Sequence, residues 1–551
     1  MHRKDENAAA VNVSPLSTAL RIAGYAFACA FFLLAIAGTI GQYAPVPDYD
    51  QWTLIVDFYA HDSGNWRAWW GDHREHPIIL ARPFYWLDCA AFNCNEVLLL
   101  AIDYALMLAM AALLLATGRR LVRDSPTHFA RESAIFVIAA FVFSWLQWEN
   151  LTKGTQIVFL AAYVLPFAAF AALVRAATAP QRCAAYVTAL GLGIASAFTM
   201  GNAIVVLPML AIMAVLTRQS IARTVTIIVC AIAIGYVYFA NFGASGPRRP
   251  GSLATVVDPV ATLNFALVLI GSPFGGISGS TLVASIAGLV FVLATIIAAL
   301  RWLRGRSLDE LTLLAFVAYV MASSLAAAVA RSYLGASYAL SGRYQTPALY
   351  AWPALFLIIV SQTRSLRVPS RVMAAIGLLV SFAFLPAQLQ ALSTELRYKS
   401  FERVFAALAL ELGIHDTGLV RTVFPDDSVY RMAETARAQG LAIFGAPILS
   451  GLRSTLGRPV AQVTSVRCVV TVDGKWAIQD APGATRIVGV LDVSQVPVTP
   501  TRLYFTTAEG RIVGAGVLSR PDVGWSGQRA RFGGYVVAQD PDALLGWCAT
   551  S

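Results

Sequence analysis

Long apolar runs separated by short polar connections occupy the chain up to about residue 390. A run of about 20 apolar residues is long enough for a helix to cross the hydrocarbon core of a membrane, which is about 30 Å thick. The pattern therefore predicts eleven transmembrane helices. They lie near residues 19–41, 96–118, 132–147, 157–176, 184–200, 203–217, 222–241, 281–302, 309–330, 345–363 and 372–390.

Two further apolar segments carry features that argue against a full crossing. Residues 78–92 mix Arg, Asp and aromatic side chains, which is typical of a helix lying in the membrane interface. Residues 259–276 end in Gly-Ser-Pro-Phe-Gly-Gly, and a crossing there would move the basic segment at 301–306 to the other side of the membrane. For this second segment we expect a re-entrant or surface-lying helix, whose broken backbone is shielded by protein or water.

The pattern changes after about residue 391. Residues 395–414 and 429–444 have the apolar spacing of amphipathic helices. From about residue 458, short runs rich in β-branched and aromatic residues alternate with Gly, Pro and Asp, which predicts strands. The fold class is thus an all-α membrane domain followed by a C-terminal α+β region. Its parts are a tail at 1–18, a transmembrane domain at 19–390 with a large first loop at 43–95, a helical segment at 391–457 and a small β-sandwich at 458–551.

Composition agrees with a polytopic membrane protein. The chain has 57% hydrophobic and 13% charged residues and a mean hydropathy of +0.64, whereas soluble proteins average about 25% charged residues. The formal net charge is +10. The basic residues form short clusters between apolar runs, which is how the residues that set the orientation of membrane proteins are distributed. We therefore expect no nucleic-acid partner.

Lys and Arg in the connecting segments predict the orientation. With a cytoplasmic N-terminus, the inner segments hold 17 basic residues and the short outer connections hold 5. The inner set is Arg3, Lys4, Arg21, Arg119, Arg120, Arg123, Arg131, Arg175, Arg182, Arg218, Arg223, Arg301, Arg304, Arg306, Arg364, Arg367 and Arg371, and the outer set is Lys153, Arg248, Arg249, Arg331 and Arg343. The positive-inside rule therefore places the first loop and the C-terminal region outside, in the bacterial periplasm.

The cysteines divide by compartment. Cys89 and Cys94 share the first outer loop, and Cys468 and Cys548 bracket the β region. Each outer pair is expected to form a disulfide in an oxidising periplasm. A zinc site is the weaker interpretation, because the Cys-Ala-Ala-Phe-Asn-Cys spacing is unusual for zinc.

Ionisable residues collect in the first outer loop. Asp48 and Asp50 follow the first span directly, and either carboxylate can take a proton from an acceptor hydroxyl or hold a divalent cation. Arg74, Glu75 and His76 come just before the interfacial helix, and the functional interpretation places Arg74 or His76 near a phosphate and Glu75 near a sugar. The alternatives are a solvated turn for the acidic pair and a charge cluster at a helix start for the second group.

Other polar groups recur where later spans reach the same face. Glu149, Asn150 and Lys153 begin one connection, and Arg343 and Tyr344 precede another span. We predict that these residues bind substrate. Charges at membrane depth are costly and are usually paired or functional. Arg343 has the alternative role of an interfacial anchor.

The architecture resembles the GT-C class of glycosyltransferases that use polyprenyl-phosphate-linked sugars. The strings Arg-Glu-His-Pro at 74–77, Trp-Glu-Asn at 148–150, Gly-Ser-Pro at 271–273 and Gly-Arg-Tyr-Gln-Thr-Pro at 342–347 are also similar to those of a large group of uncharacterised bacterial polytopic proteins of that architecture. The similarity runs along most of residues 17–390.

The resemblance implies an inverting transfer of a sugar from undecaprenyl phosphate to a glycan or lipid acceptor at the outer face of the inner membrane. It assigns the base, or a Mg²⁺ or Mn²⁺ ligand, to Asp50 or Asp48. This chain has Asp-Tyr-Asp where many relatives have adjacent acidic residues, which leaves open which carboxylate is catalytic. The donor phosphate would meet Arg74, Lys153, Arg248, Arg249 or Arg343.

Two other functions are compatible with a polytopic chain of this kind. A transporter or flippase of lipid-linked or anionic solutes would carry paired inverted repeats with broken spans, and the sequence shows one Gly- and Pro-rich break without a partner. A non-catalytic envelope assembly protein is the third candidate. Substitution of Asp50 and Asp48 separates these functions.

Overall fold

The apolar runs form helices because a helix satisfies its backbone hydrogen bonds within one segment, as a lipid environment requires. The computed structural model of the protein describes residues 15–71, 73, 76, 78–121, 128–178, 182–241, 258–366, 369–494, 500, 502–519, 529–537 and 545–549. In its helical part the helices are α1 Pro15–Gln42, α2 Trp66–Trp70, α3 Arg82–Phe92, α4 Val97–Leu121, α5 His128–Val142, α6 Trp148–Thr152, α7 Ile157–Thr178, α8 Arg182–Ala197, α9 Val206–Leu216, α10 Ile221–Asn241, α11 Pro259–Ser278, α12 Thr281–Gly305, α13 Leu308–Arg331, α14 Gln345–Leu366, α15 Ser370–Ala383, α16 Leu385–Leu389, α17 Thr394–Leu412, α18 Thr417–Val420, α19 Ser428–Gln439 and α20 Leu452–Thr455.

Within the described residues, nine helical stretches are long and apolar enough to cross a membrane. They lie on α1, α4, α5 with α6, α7, α10, α11, α12, α13, and α15 with α16. Large apolar side chains such as Ile232 and Phe239 of α10 are exposed, as contact with lipid requires. These helices support a multi-pass membrane protein. The predicted number of eleven crossings is not confirmed. The nine stretches include α11, which the prediction did not count as a crossing, and leave out α14 and the shorter apolar helices α8 and α9.

Helix α11 differs from the prediction of a broken segment. Its backbone is helical through Pro273 and the neighbouring glycines. The glycines instead allow close packing of α11 against α12: a Cβ at Gly271 would collide with the carbonyl oxygen of Ala284, and one at Gly288 with that of Leu267. Small residues at such contacts are typical of membrane helix pairs.

The two ends of α11 meet the same end of the helix bundle. Near its start, the Thr262 hydroxyl lies 3.2 Å from that of Ser332, just after α13. Near its end, Gly276 contacts Gln345, the first residue of α14. Length and composition allow α11 to cross a membrane, so its predicted re-entrant or surface-lying position stays a prediction.

The described residues of the first loop form a packed cap where α1 ends and α4 begins. It contains a π-helix at Trp52–Asp62 with several buried apolar residues, followed by α2 and α3. Helix α3 covers most of the segment predicted to lie in the interface. A disulfide joins Cys89 to Cys94 at its C-terminal end, and Asp88 of α3 accepts hydrogen bonds from the backbone N–H groups of Glu96 and Leu98 at 2.7 and 3.0 Å.

The C-terminal strands form a closed barrel, so the predicted β-sandwich is wrong. The strands are β1 Ser465–Ala477, β2 Ala484–Asp492, β3 Arg502–Thr506, β4 Ile512–Leu518, β5 Arg529–Val537 and β6 Leu545–Ala549. They pair antiparallel in the order β1-β2-β5-β4-β3-β6, and β6 also pairs with β1. Closure leaves no sheet edge unpaired, which an open two-layer sandwich does not achieve. A disulfide joins Cys468 of β1 to Cys548 of β6.

Helix α17 connects the barrel to the membrane part. Phe405 of α17 packs on Tyr535 of β5, with ring centroids 5.1 Å apart. Asp416, just after α17, accepts a hydrogen bond from the Tyr535 hydroxyl at 2.8 Å and pairs with Arg486 of β2 at 3.2 Å. Both apolar and polar contacts therefore join the barrel to the helical segment.

Candidate functional site

A strained turn separates the two acidic residues at the start of the first loop. Tyr49 between them has φ of 49°, a left-handed conformation that is costly for a bulky residue and often occurs at functional sites. Its N–H donates to the Val423 carbonyl oxygen at 2.8 Å. Asp48 and Asp50 consequently contact different partners.

Asp48 is buried between two cations. Its Oδ2 lies 2.7 Å from Nζ of Lys153 and 3.7 Å from a guanidinium nitrogen of Arg403. Lys153 comes directly after α6, and Arg403 belongs to α17. The Asp48 N–H donates to Oε1 of Gln51 at 2.6 Å. A carboxylate that is only 7% exposed requires such pairing, because an isolated buried charge is strongly unfavourable.

These residues line a cavity of about 200 Å³, here called the Asp48 cavity. It lies where the end of α1, α6 and α17 meet. Three cations and two carboxylates line it, so the local formal charge is positive. Its lining residues are Gln42, Asp48, Tyr49, Trp148, Thr152, Lys153, Lys399, Ser400, Glu402, Arg403 and Thr422. A positive cavity at the end of a membrane bundle suits an anionic group such as a phosphate.

Asp50 is more exposed than Asp48 and faces an imidazole. Its side chain is 43% exposed, and its Oδ1 lies 3.4 Å from Nε2 of His73. His73 and His76 are joined by two backbone hydrogen bonds of 3.0 Å. His76 Nδ1 accepts from the N–H of Gly201 at 3.4 Å, which connects the loop to the start of the α9 region. Asp50 and His73 thus form a carboxylate–imidazole pair near solvent.

Glu96 is hydrogen-bonded to residues near Asp48 and Lys153. It lies one residue before α4, and its Oε2 accepts from Nε2 of Gln51 at 2.5 Å and from the N–H of Gly154 at 2.6 Å. Burial is the main cause that raises the pKa of Glu96 to about 8. One carboxyl group thereby fixes both the turn that carries Asp48 and the residue next to Lys153.

The predicted binding residues after α5 and before α14 contact one another. Oε1 of Glu149 accepts from the N–H of Gly342 at 3.0 Å. Nδ2 of Asn150 donates to the Arg343 carbonyl oxygen at 3.0 Å and to Thr346 Oγ1 at 2.7 Å. These contacts link α6 to α14, and their predicted role in substrate binding stays a prediction.

Arg343 lies between two aromatic rings. Its guanidinium carbon is 5.3 Å from the ring centroid of Tyr338 and 5.2 Å from that of Tyr344. It also donates to the Tyr338 hydroxyl. Its predicted roles, in substrate binding or as an interfacial anchor, both stay predictions. The remaining predicted residues, Arg74, Glu75, Arg248 and Arg249, lie outside the described residues.

The acidic pair does not fit a divalent cation in this arrangement. Lys153 and Arg403 already neutralise Asp48, and Asp50 faces His73 instead. A Mg²⁺ or Mn²⁺ ion would need several oxygen ligands around one point. Within the part of the chain that the structure describes, no group of three His, Cys, Asp or Glu side chains is placed to hold a metal ion.

The sequence pattern did not single out the residues that α17 contributes. Lys399, Glu402 and Arg403 are spaced by three and four residues, so they share one helix face. That spacing predicts a polar face, but only the packing of α17 against the first loop brings it to Asp48.

Comparison with known proteins does not assign a function to the chain. No family model matches the chain, and no curated protein or solved structure matches it. The function is therefore inferred from the Asp48 cavity, from the Asp50–His73 pair and from the short strings described above.

Proposed function

We propose that the protein is a membrane glycosyltransferase that moves a sugar from undecaprenyl phosphate to a glycan or lipid acceptor of the cell envelope. The observation that carries this proposal is the Asp48 cavity, in which Lys153 and Arg403 flank a buried carboxylate at the end of the helix bundle. A lipid phosphate at the membrane surface can reach this position while its prenyl tail stays among the helices.

The donor phosphate binds to the cations of the cavity. Lys399 and Arg403 lie on α17, and Lys153 directly follows α6. Asp48 pairs with Lys153 and Arg403. Fixed cations stabilise the negative charge that develops on a leaving phosphate in the transition state. This electrostatic contribution needs no rearrangement of water during the reaction.

Asp50 serves as the base in the proposed reaction. It takes the proton of the acceptor hydroxyl, whose oxygen attacks the anomeric carbon of the sugar. The bond from that carbon to the phosphate oxygen breaks, and undecaprenyl phosphate leaves with the electron pair. A direct displacement of this kind inverts the anomeric configuration. The nearby His73 orients the Asp50 carboxylate.

Substitutions in the cavity and at Asp50 test the proposal in two measurements. Lys153→Ala and Arg403→Ala should each weaken binding of undecaprenyl phosphate to the purified protein by about tenfold, whereas Asp50→Asn should leave it unchanged. In cells that lack the native gene, Asp50→Asn should remove the transferred sugar from envelope glycans analysed by mass spectrometry.

The exposed Asp62 of the same loop provides a matched control. Asp62→Asn should leave both binding and glycan composition unchanged. Unaltered glycans in cells carrying both Asp48→Ala and Asp50→Ala would overturn the proposed activity and favour a transporter or an assembly protein.

The proposed reaction uses no metal ion, because cations of the chain occupy the position beside Asp48. We expect that dialysis against EDTA leaves sugar transfer by the purified protein unchanged. If Asp48 and Asp50 instead held Mg²⁺ or Mn²⁺, EDTA would abolish transfer and either ion would restore it.

The proposal places the N-terminus in the cytoplasm and the barrel in the periplasm of a bacterial inner membrane. The distribution of Lys and Arg supports this orientation, and the two disulfides suit an oxidising compartment. Alkaline phosphatase fused after Ser551 should be active, while a fusion after Arg123 should be inactive. The reverse activities would show the opposite orientation, with the candidate site on the cytoplasmic side.

A further inference from the structure

A second cavity lies between α17 and the outer surface of the barrel. Its volume is about 380 Å³, within the range of small-molecule sites. We call it the Trp476 groove. It is lined by Tyr398, Phe401, Glu402, Phe405 and Leu419 from the helical segment and by Asp473, Trp476, Arg486, Val488, Gly489, Arg531 and Phe532 from the barrel.

A β-bulge brings Trp476 to this groove. Val472 of β1 pairs with Gly489, but Gly474 pairs with Val488, so Asp473 is an extra residue in β1. Before the bulge, Val470 and Val472 pack on the barrel interior. A shift of one residue moves the following side chains to the opposite face of a strand. Trp476 therefore lies on the outside, where it is 46% exposed.

The local sequence fixes the position of the indole ring. A Cβ at Gly474 would collide with the Trp476 ring, so the ring lies directly over this glycine. The guanidinium carbon of Arg486, the partner of Trp476 across the strands, is 5.5 Å from the ring centroid. Arg486 is itself held by Asp416 at 3.2 Å. The exposed aromatic surface is consequently held in one orientation.

The groups around the ring suit a hydroxyl-rich, uncharged ligand. Glu402 and Asp473 accept hydrogen bonds, and Arg486 and Arg531 donate them. The two acidic and two basic side chains balance in charge, so the groove favours neither a polyanion nor a polycation. An indole face offers an apolar surface next to these polar groups, which matches the apolar faces and hydroxyl edges of a sugar.

We infer that the Trp476 groove binds the acceptor glycan, a conclusion that rests on the proposed glycosyl transfer. Glu402 lines both the groove and the Asp48 cavity. It lies at the boundary between the face of α17 that carries Lys399 and Arg403 and the face that carries Phe401 and Phe405. A glycan held against Trp476 can extend along α17 toward the donor phosphate. The barrel then acts in acceptor binding as well as in capping the membrane domain.

Binding of glycan fragments to the full-length protein in detergent tests this inference. The probe is a set of oligosaccharides released by mild acid from the envelope of the bacterium that encodes the chain, and affinity is measured by thermophoresis. Trp476→Ala should weaken binding by about tenfold or more, as for other central aromatic contacts. Trp476→Phe should retain most of the affinity because it keeps an aromatic face.

Val469 on the same strand is the matched control, since it is exposed and lies outside the groove. Val469→Ala should bind as the wild type does. Equal binding by wild type and Trp476→Ala, or no binding by the wild type, would overturn the inference.

The transfer reaction distinguishes this inference from the proposed function. If the protein transfers sugar, Trp476→Ala should raise KM for the acceptor and leave undecaprenyl phosphate binding unchanged; an unchanged KM would overturn the groove assignment alone. If the wild type transfers no sugar but binds glycan through Trp476, the glycosyltransferase proposal fails while the groove remains a glycan site.

Discussion

Two buried acidic residues of the first loop region have different surroundings. Asp48 lies between the cations Lys153 and Arg403. Glu96 accepts hydrogen bonds from the neutral donors Gln51 and Gly154, and burial raises its pKa to about 8. Desolvation disfavours a carboxylate that has no adjacent cation in hydrogen-bond contact. At the residue scale, burial without a directly bonded cation is what raises the pKa of Glu96.

The raised pKa of Glu96 makes the stability of the protein depend on pH. The ordinary value is 4.5 and the folded value is about 8, so between these the folded state keeps a proton that the unfolded state has lost. Folding stability then falls as pH rises through this window and is flat above it. We expect Glu96→Gln, whose carbonyl oxygen can still accept both hydrogen bonds, to flatten the fall in melting temperature between about pH 5 and about pH 8.

Glu434, whose side chain is 66% exposed, is the control for this measurement. Glu434→Gln should show the same pH dependence as the wild type. A Glu96→Gln profile parallel to that of the wild type would show that Glu96 does not cause the loss of stability.

At the element scale, short polar contacts hold the ends of the long helices in register. Asn150 of α6 donates to the backbone of Arg343 and to Thr346 of α14, and Thr346 in turn donates to Gln147 at 2.7 Å. The sequence showed these residues as separate strings about 190 positions apart. Their pairing followed from helix packing, which periodicity within one helix does not specify.

Loss of the Asn150 hydrogen bonds should destabilise the packing of α6 against α14. Asn150→Ala leaves the buried hydroxyl of Thr346 and the Arg343 carbonyl without the amide, and should lower stability by about 1–3 kcal/mol. Thermal unfolding in detergent measures the change. Asn264→Ala removes an exposed amide that accepts from Ser285 and should have a much smaller effect. Equal effects of the two substitutions would contradict a structural role for the α6–α14 link.

At the scale of the whole molecule, α17 is the element that joins three parts. It contributes Lys399 and Arg403 to the Asp48 cavity, Phe401 and Phe405 to the Trp476 groove, and packs on β4 and β5 of the barrel. Asp416 fastens the barrel to this segment through Tyr535 and Arg486. A change at this junction should therefore affect the barrel without altering the membrane helices.

Asp416→Ala tests that expectation. It leaves the buried Tyr535 hydroxyl without its acceptor, and an unsatisfied buried polar group costs about 1–3 kcal/mol. Hydrogen exchange of β2 and β5 should become faster, while that of α4 and α7 should not change. Asp492→Asn, at a partly exposed carboxylate at the end of β2, should leave all four elements as in the wild type. Protection of β2 and β5 that survives Asp416→Ala would show that apolar packing alone holds the barrel.

The sequence by itself determined the membrane class, most helix positions and the two helices after residue 391, because apolar run length and periodicity are local properties. The two cysteine pairs followed from the predicted compartment of each cysteine. It also located the acidic loop residues Asp48 and Asp50. Only the tertiary structure decided that the strands close into a barrel, that α11 is continuous, and that Asp48 meets Arg403. Those outcomes depend on strand partners, on helix contacts such as Gly271 with Ala284, and on side chains about 350 residues apart, none of which a local pattern encodes.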